Sequence, residues 1–355
     1  MLKRSLSLFA ACALSACTAP DPERAVNAED AALWTFMGAS AELMAASCPE
    51  DTAHKTAQTI SIGFIPMDLS GVESAYPLEG WALASDASDF GGLSGLAIMT
   101  SGTLLAVSDK GAFVWIAMED GAPATSSDEG TGRAFFAPML DAAGAPLNGK
   151  ARGDAEGLAF KDGLALVSFE REHRILAFDL EGCGANARGA PVATIAERPQ
   201  GMSRSMRQNG GLEGLALLPD GSLAAAIETR DPAIPFGRVR TDGSLVIDGA
   251  IETFEGKAGT GIDAAGDTLF TIHRDYRPGD GTHITVSATP LSGGVPAGSA
   301  EPLLSLDPQD PVDNFEAIAA SVGDDGKARR LYLLSDDNFS DQQRTLLFAL
   351  DLETP

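Results

Sequence analysis

Five short segments of the chain resemble one another, and each unit contains two polar sites about one strand apart. The first half of the unit reads Gly92-Leu93-Ser94-Gly95-Leu96-Ala97, Ala155-Glu156-Gly157-Leu158-Ala159, Leu212-Glu213-Gly214-Leu215-Ala216 and Phe315-Glu316-Ala317-Ile318-Ala319, with a weaker copy at Gly261-Ile262-Asp263-Ala264-Ala265. The second half ends at Asp109-Lys110, Glu170-Arg171, Glu228, His273-Arg274 and Asp336-Asp337-Asn338. An internal repeat of this kind restricts the chain to architectures built from successive similar units.

The spacing of the units favours a β-propeller. The intervals from Ser94 through Glu156, Glu213 and Asp263 to Glu316 are 62, 57, 50 and 53 residues. A four-stranded blade needs about 40 to 50 residues plus loops. The sequence between the motifs consists of short strand-like runs bounded by turn residues, which indicates an all-β fold. We predict five blades; six remain open if residues 59–90 build most of a blade. An N-terminal strand, Trp81–Ala84 or Ile60–Ile65, closes the ring.

The N-terminus has the features of an export signal. Lys3 and Arg4 precede an apolar run, which is too short to span a membrane. The following Leu14-Ser15-Ala16-Cys17 resembles the lipobox of bacterial lipoproteins, and this resemblance implies that residues 1–16 are a signal peptide and that Cys17 carries the lipid. An ordinary cleaved signal is the alternative. We expect an exported protein that is anchored at the outer membrane and faces the periplasm.

The organisation downstream of the signal is simple. Residues 17–58 read as a tether with a short helix over Ala31–Ala46, and residues 59–355 as the propeller domain. Of the four cysteines, Cys12 leaves with the signal and Cys17 takes the lipid, so Cys48 and Cys183 remain. Oxidising compartments favour disulfides, and we expect these two to pair.

The charge of the chain excludes one class of partner. The formal net charge is −25 and the isoelectric point about 4.4, whereas nucleic-acid binding requires a basic face. We expect a monomer that touches a membrane only through its lipid. The acidity is explained either by solubility or, for some carboxylates, by metal binding.

Three glutamates, Glu156, Glu213 and Glu316, occupy equivalent places in their units. If the units superpose, their side chains converge on the propeller axis, where like charges must take up protons, bind a cation or pair with bases. Oxygen ligands favour calcium over magnesium. The four histidines form no His-x-x-x-His motif, which disfavours zinc. We assign these glutamates as catalytic; the alternative is that they cap strand ends.

The second halves of the units add basic residues to acidic ones. Lys110, Arg171 and Arg274 are candidates for binding an anionic substrate, because guanidinium and ammonium groups bind phosphate and carboxylate. The alternative is surface ion pairs of little energetic weight. The candidate metal ligands in these segments are Asp109, Glu228, Asp336, Asp337 and Asn338.

These motifs carry a family resemblance. Gly91-Gly92-Leu93-Ser94-Gly95-Leu96, Asp154-Ala155-Glu156-Gly157-Leu158 and Asn314-Phe315-Glu316-Ala317, followed by Leu334-Ser335-Asp336-Asp337-Asn338-Phe339, resemble the phytase-like domain family, also called the esterase-like activity of phytase family. Ala155 replaces the usual proline, and the unit at Gly261-Ile262-Asp263 departs from the family pattern. The resemblance implies a propeller and, by the family's name, hydrolysis of phosphate or other esters.

Two classes of function follow. The first is an extracytoplasmic, lipid-anchored propeller hydrolase that acts on phosphomonoesters or other esters with the help of a divalent cation. The second is a propeller without catalytic activity that binds a ligand or a protein at the outer membrane. A lactonase-like hydrolase is a third alternative.

Overall fold

The computed structural model describes residues 31–126, 130–229 and 232–353. Within these ranges nearly all regular structure is β. The first regular element of the described residues is helix α1 (Phe36–Ser47), followed by strands β1 (Gln58–Pro66) and β2 (Leu78–Ala84). The signal peptide and Cys17 lie outside the described residues. No helix among the described residues has the length and apolar character needed to cross a membrane.

The strands that follow form five antiparallel groups, most of them with four strands. The first group consists of β3 (Leu93–Ile98), β4 (Leu104–Ser108), β5 (Ala112–Ile116) and, after the small hairpin β6 (Met118–Glu119) and β7 (Ala122–Pro123), β8 (Thr131–Pro138). Short helix α2 (Lys150–Gly153) leads to the second group: β9 (Ala155–Lys161), β10 (Leu164–Phe169), β11 (Arg174–Asp179) and β12 (Ala190–Thr194).

Three more groups complete the chain. The third is β13 (Leu212–Leu217), β14 (Leu223–Ile227), β15 (Ala233–Val239) and β16 (Leu245–Glu252). The fourth is β17 (Ala258–Ala265), β18 (Thr268–Arg277), β19 (Gly281–Ser292), the short β20 (Val295–Pro296) and β21 (Glu301–Leu306). The last is β22 (Phe315–Val322), β23 (Ala328–Ser335) and β24 (Thr345–Asp351).

Strand β2 closes the ring. It pairs with β24, so an N-terminal strand is the fourth member of the last group. This confirms the all-β propeller and its closure by residues near Trp81. Strand β1 pairs with both β2 and β8, which merges the first and last groups into one nine-stranded sheet. Because of this merger, the count of five blades stays a prediction.

The inner strands β3, β9, β13, β17 and β22 lie side by side around the axis, and β22 contacts β3. Glycines permit this approach. A Cβ atom on Gly95 would lie 2.4 Å from the backbone oxygen of Glu156, and one on Gly261 would lie 2.2 Å from that of Glu316. Gly157 and Gly214 meet the next strand in the same way, at 2.8 and 2.9 Å from backbone nitrogens. Only glycine fits where backbones are this close.

Apolar cores fill the spaces between neighbouring groups. One core combines residues of β3 to β5 with residues of β9 to β11 and includes the edge-to-face pair Phe113 and Phe178, whose ring centroids lie 5.2 Å apart. Another joins β18, β19 and β21 to the last group, with Phe315 against Phe348 at 4.9 Å. Burial of this much aromatic and aliphatic surface is the main stabilising term.

The N-terminal segment packs on the propeller. The predicted helix over Ala31–Ala46 begins later, at Phe36, because the residues before it pair with the third group: Trp34 N–H donates to the Val239 carbonyl at 3.0 Å. Phe36 and Leu43 enter the core between the second and third groups. Cys48 and Cys183 form a disulfide with their Cα atoms 5.6 Å apart, which ties this segment to the loop after β11.

The close approach of the inner strands can be tested by adding one methyl group. We expect Gly261→Ala to destabilise the protein by about 1–3 kcal/mol, since overpacking against a backbone atom forces the strands apart. Gly71→Ala is the control, because a Cβ there meets nothing within 4 Å. Urea unfolding measures both. Equal unfolding midpoints for the two variants would show that the strands do not need this contact.

Candidate functional site: an acidic cavity on the propeller axis

Every inner strand has a β-bulge at the same point. The pairing of each inner strand with its neighbour shifts register there, and the residue set out of register is Ser94, Glu156, Glu213, Thr260 or Glu316. Bulges re-aim side chains and are common next to functional sites. Here the bulges direct one ring of side chains toward the upper end of the axis, where the inner strands begin.

The register corrects one alignment made from the sequence. The fourth member of this ring is Thr260, not Asp263, because Gly261 is the equivalent of Gly157 and Gly214. Thr260 donates a hydrogen bond to the Phe315 carbonyl at 3.1 Å. The signal was present in the sequence as the residue that precedes the glycine. Asp263 lies three positions later and faces the opposite end of the axis.

A second ring of side chains follows the ends of the adjacent strands. On each inner strand, the residue just before the bulge pairs with a residue of the adjacent strand, and the ring member is the next residue along that adjacent strand. The members are Asp109, Glu170, Glu228, Arg274 and Asp336. Together the two rings enclose a cavity of about 160 Å³, which we call the ionic cavity. Its lining is Ser94, Asp109, Lys150, Glu156, Glu170, Asn209, Glu213, Glu228, Arg274, Glu316, Asp336 and Asn338.

The ionic cavity therefore brings together most of the residues predicted from the sequence. Glu156, Glu213 and Glu316 share it with Asp109, Glu228, Asp336, Asn338 and Arg274. Lys150 and Asn209 were missed, because both come from loops that connect the repeats and belong to no repeated motif. Among the described residues, seven carboxyl groups and two cationic side chains line the cavity, so their full ionisation would leave a formal charge of −5.

Three predicted residues lie elsewhere. Lys110 is exposed, with its ammonium 3.0 Å from the centre of the Phe339 ring. Arg171 donates from Nε to Asp154 Oδ2 at 2.6 Å. Asp337 accepts hydrogen bonds from the Gly92 and Phe339 amides and from Thr345 Oγ1 at 2.8, 3.0 and 3.0 Å, and thereby joins the loop before β3 to the last group. These contacts tie each side chain to a structural neighbour outside the cavity lining.

Burial, reinforced by repulsion between neighbouring carboxylates, raises the pKa values of Glu156, Glu170, Glu213 and Asp336. Burial, and then repulsion from Glu213 and Glu316, raises the pKa of Glu156 well above its usual range. Burial, followed by Glu228 and Glu170, does the same for Glu213. Protonated Glu213 donates a hydrogen bond to Glu170, whose own pKa is raised chiefly by burial. Burial and the nearby Glu316 raise the pKa of Asp336 to about 8.

Two cations partly neutralise the ionic cavity. Arg274 donates from one guanidinium nitrogen to both Glu316 and Asn314, and its other terminal nitrogen lies 3.9 Å from Glu228 Oε1. Burial alone would lower the pKa of Arg274, but the nearby carboxylates of Glu316, Glu213 and Glu228 outweigh this effect and raise it. Lys150 reaches Asp109 Oδ2 at 2.8 Å while half of its side chain stays exposed. Arg207 contacts Glu228 Oε2 at 2.9 Å from the rim.

One group of carboxyl oxygens fits a metal ion. One oxygen each from Asp154, Glu156 and Glu170 lie within 4.8 Å of one another. Calcium binds oxygens at about 2.3–2.6 Å, so ligands on one ion lie up to about 5 Å apart. Oδ1 of Asp109, which also lines the ionic cavity, is buried without a hydrogen-bond partner. The donor set is all oxygen, and no histidine lines the cavity within the described part of the chain. The residues fit a hard divalent cation.

Fold and site together define a β-propeller with a carboxylate-lined axial cavity. The sequence matches the family model for the phytase-like family, described as esterase-like activity of phytase, over residues 88–339. The match covers more than half of the chain, and the protein belongs to this family. No curated protein shows significant similarity to the chain.

Solved structures show distant likenesses. The PQQ-bound aldose sugar dehydrogenase from Streptomyces coelicolor is 13% identical, with 79% of this chain and 100% of that chain covered at a TM-score of 0.41. Glutaminyl cyclase from Myxococcus xanthus is 13% identical, with 84% and 99% covered at 0.41. The calcium structure of a Trichoderma reesei carbohydrate-active enzyme of family AA12 is 9% identical, with 84% and 99% covered at 0.41. We draw no inference about activity from these likenesses.

The raised pKa of Asp336 predicts a pH-dependent stability. A carboxyl group whose pKa rises on folding stabilises the native state most below its unfolded pKa of about 4, and this contribution is lost as the pH rises toward 8. In a chelating buffer, Asp336→Asn should therefore gain stability relative to wild type between pH 5 and pH 8, by at least about 1.4 kcal/mol, the equivalent of one pKa unit.

Chemical denaturation across this pH range measures the effect. Asp336→Asn keeps the acceptor for the Asn338 amide, which donates to Asp336 Oδ1 at 2.6 Å. Asp86→Asn, at an exposed position, is the control. Parallel pH profiles for wild type and Asp336→Asn would contradict the burial of an ionisable group with a raised pKa.

Proposed function

We propose that this protein is a hydrolase that uses a divalent cation, calcium before magnesium, to cleave phosphomonoesters or other esters in the ionic cavity. The observation that carries the proposal is the convergence of Asp154, Glu156 and Glu170 beside Lys150 and Arg274. Two of these three carboxylates, Glu156 and Glu170, line the ionic cavity together with the donors Lys150 and Arg274, and Asp154 converges on them. The family's description supports ester hydrolysis.

The cation would be held by Asp154, Glu156 and Glu170, and Asp109 adds a further oxygen to the cavity lining. Arg171 fixes Asp154 through its 2.6 Å contact and thereby orients one ligand. When bound, such an ion neutralises carboxylate charge and polarises an ester oxygen. Without it, or protons in its place, the carboxylates would repel an anionic substrate.

Other residues of the chain would bind the substrate and move protons. Lys150 is half exposed, with ammonium donors left for an anionic group. Arg274, held by Glu316 and Asn314, adds a fixed positive charge to the cavity lining. Asp336, with a pKa of about 8, holds its proton at neutral pH, and the raised pKa of Glu213 favours its protonated form; a carboxyl group of this kind can donate a proton to a leaving oxygen.

A larger space opens beside the ionic cavity. It measures about 830 Å³ and shares Glu228, Arg274, Glu316 and Asn338 with it. The space could hold the rest of a substrate whose reacting group lies among the carboxylates. We assign it the leaving group of the ester.

Cation binding predicts a change in stability. Calcium at 100 times its Kd should stabilise the protein by about 2.7 kcal/mol, since a ligand that prefers the folded state stabilises it. Glu156→Gln should lose most of this gain, because it removes one of three converging carboxylates. Glu301→Gln, at an exposed position on β21, should keep it. Thermal unfolding with calcium and with chelator measures the effect. The same gain in Glu156→Gln as in wild type would remove Glu156 from the ligand set.

Hydrolysis itself is tested by turnover of phosphomonoester and carboxyl-ester substrates with calcium and then with chelator. We expect turnover that chelator abolishes, and Glu213→Gln should reduce kcat by about 100-fold or more, because it removes a proton donor or acceptor. Glu301→Gln is again the matched control. Full activity in Glu213→Gln would refute its catalytic role.

The second candidate function is a binding propeller without catalytic activity. Calcium would then raise the melting temperature, but no ester would turn over. A lactonase-like hydrolase would cleave lactones in preference to phosphomonoesters. We further propose export and a lipid anchor at Cys17, with a monomeric propeller on the periplasmic side of the outer membrane. The lipobox-like Leu14-Ser15-Ala16-Cys17 supports this location.

A further inference from the structure

A second cavity lies at the opposite end of the propeller axis. It measures about 670 Å³ and is formed where the inner strands turn into the strands that follow. We call it the lower cavity; Ile98, Met99, Phe160, Leu217 and Val322 contribute apolar side chains that are exposed or half exposed. A constriction of about 10 Å³ on the axis separates it from the ionic cavity.

One carboxyl group breaks the apolar character of the lower cavity. The other inner strands have alanine at the position of Asp263, namely Ala97, Ala159, Ala216 and Ala319. The Asp263 carboxylate accepts hydrogen bonds from the Ala264 and Ala320 amides, each at 2.8 Å. Lys161 is the other charged lining residue, and its ammonium lies over the Phe36 ring of α1, 5.6 Å from the ring centre.

We propose that the lower cavity is a second ligand site, which binds a small primary amine whose ammonium group pairs with Asp263 and whose apolar stem lies against the surrounding side chains. This site is independent of the proposed hydrolysis, since the constriction divides the two cavities. Its ligand class follows from charge and surface chemistry rather than from the family.

The hydrogen bonding of Asp263 leaves room for such a ligand. An ionised carboxylate offers about four acceptor positions, and two amides occupy two of them. Burial raises the pKa of Asp263 to about 6, so the group still ionises at neutral pH, and an ammonium partner would favour the charged form. Apolar walls strengthen an ion pair compared with water.

Other ligand classes fit less well. An anion would be repelled by Asp263, and the basic lining residue, Lys161, already has its ammonium over the Phe36 ring. Calcium requires six to eight oxygen ligands, and one carboxylate among alanines and leucines supplies too few. A neutral apolar molecule would leave the carboxylate without a counter-charge. Each methylene that the cavity buries should raise the affinity of an alkylamine about fourfold.

The experiment titrates the full chain with n-hexylamine, methylamine, n-hexanol and hexanoate by calorimetry at pH 7.5. We expect saturable binding of hexylamine, at least tenfold tighter than methylamine or hexanol, and no binding of hexanoate. Asp263→Ala, which restores the residue of the other strands, should weaken hexylamine at least tenfold and leave hexanol unchanged. Asp324→Ala, an exposed acid in the nearby turn after β22, should bind like wild type.

Asp263→Asn is the control for loss of folding, because its side-chain oxygen still accepts an amide hydrogen bond while the charge is lost. It should lose hexylamine binding as Asp263→Ala does. The proposal is overturned if both variants bind hexylamine like wild type, if hexanol binds as tightly as hexylamine, or if no saturable binding occurs. Ester turnover in Asp263→Ala should equal that of wild type, so failure of this site and failure of the hydrolase proposal give different results.

Discussion

The contact on which the rest of the structure depends is the backbone-to-backbone packing of the inner strands at the glycines. Gly95, Gly157, Gly214 and Gly261 each allow the next strand to approach where any side chain would meet a backbone atom at 2.9 Å or less. Ala317 takes the equivalent place on β22. This packing narrows the axis to a constriction and divides it into two separate cavities. The residues before Gly95, Gly157 and Gly214 stand in the bulges and line the ionic cavity, whereas Thr260, before Gly261, donates to the Phe315 carbonyl.

Electrostatics follows from that geometry. Seven carboxyl groups in about 160 Å³ cannot all ionise, and Lys150 and Arg274 neutralise only part of the charge. The protein can hold protons there, as the raised pKa values of Glu156, Glu213 and Asp336 indicate, or a cation can replace them. Burial of so many acids costs stability without adding to the apolar core. A binding or catalytic role would explain why the acids are buried despite this cost in stability.

Much of this could be read from the sequence, because Glu-Gly pairs carry both the charge and the small residue that the inner strand needs. The repeat period gave the propeller, and the shared motif gave Glu156, Glu213 and Glu316. The alignment of the fourth unit was wrong, because its ring position is a threonine and the sequence was aligned on the nearest acid, Asp263. Lys150 could not be found, since it comes from a loop outside the repeats. Lys110 and Arg171 lie one residue past the ring position, in the turns after β4 and β10, where they contact Phe339 and Asp154 instead of lining the cavity.

The fourth group of strands departs from the repeat, and this departure makes the distribution of charge in the ionic cavity asymmetric. The inner strands of the second and third groups place Glu156 and Glu213 in the first ring, whereas β17 of the fourth group places Thr260 there. The fourth group also contributes Arg274, instead of an acid, to the second ring. The carboxylates that converge for a cation come from the second group and the segment just before it, whereas Arg274 stands on the fourth. An anion held between them would have a cation on one side and a guanidinium on the other. A ring of five equal acids would only repel an anion. In the proposed site, the loss of symmetry places a guanidinium beside the carboxylates that would hold the cation.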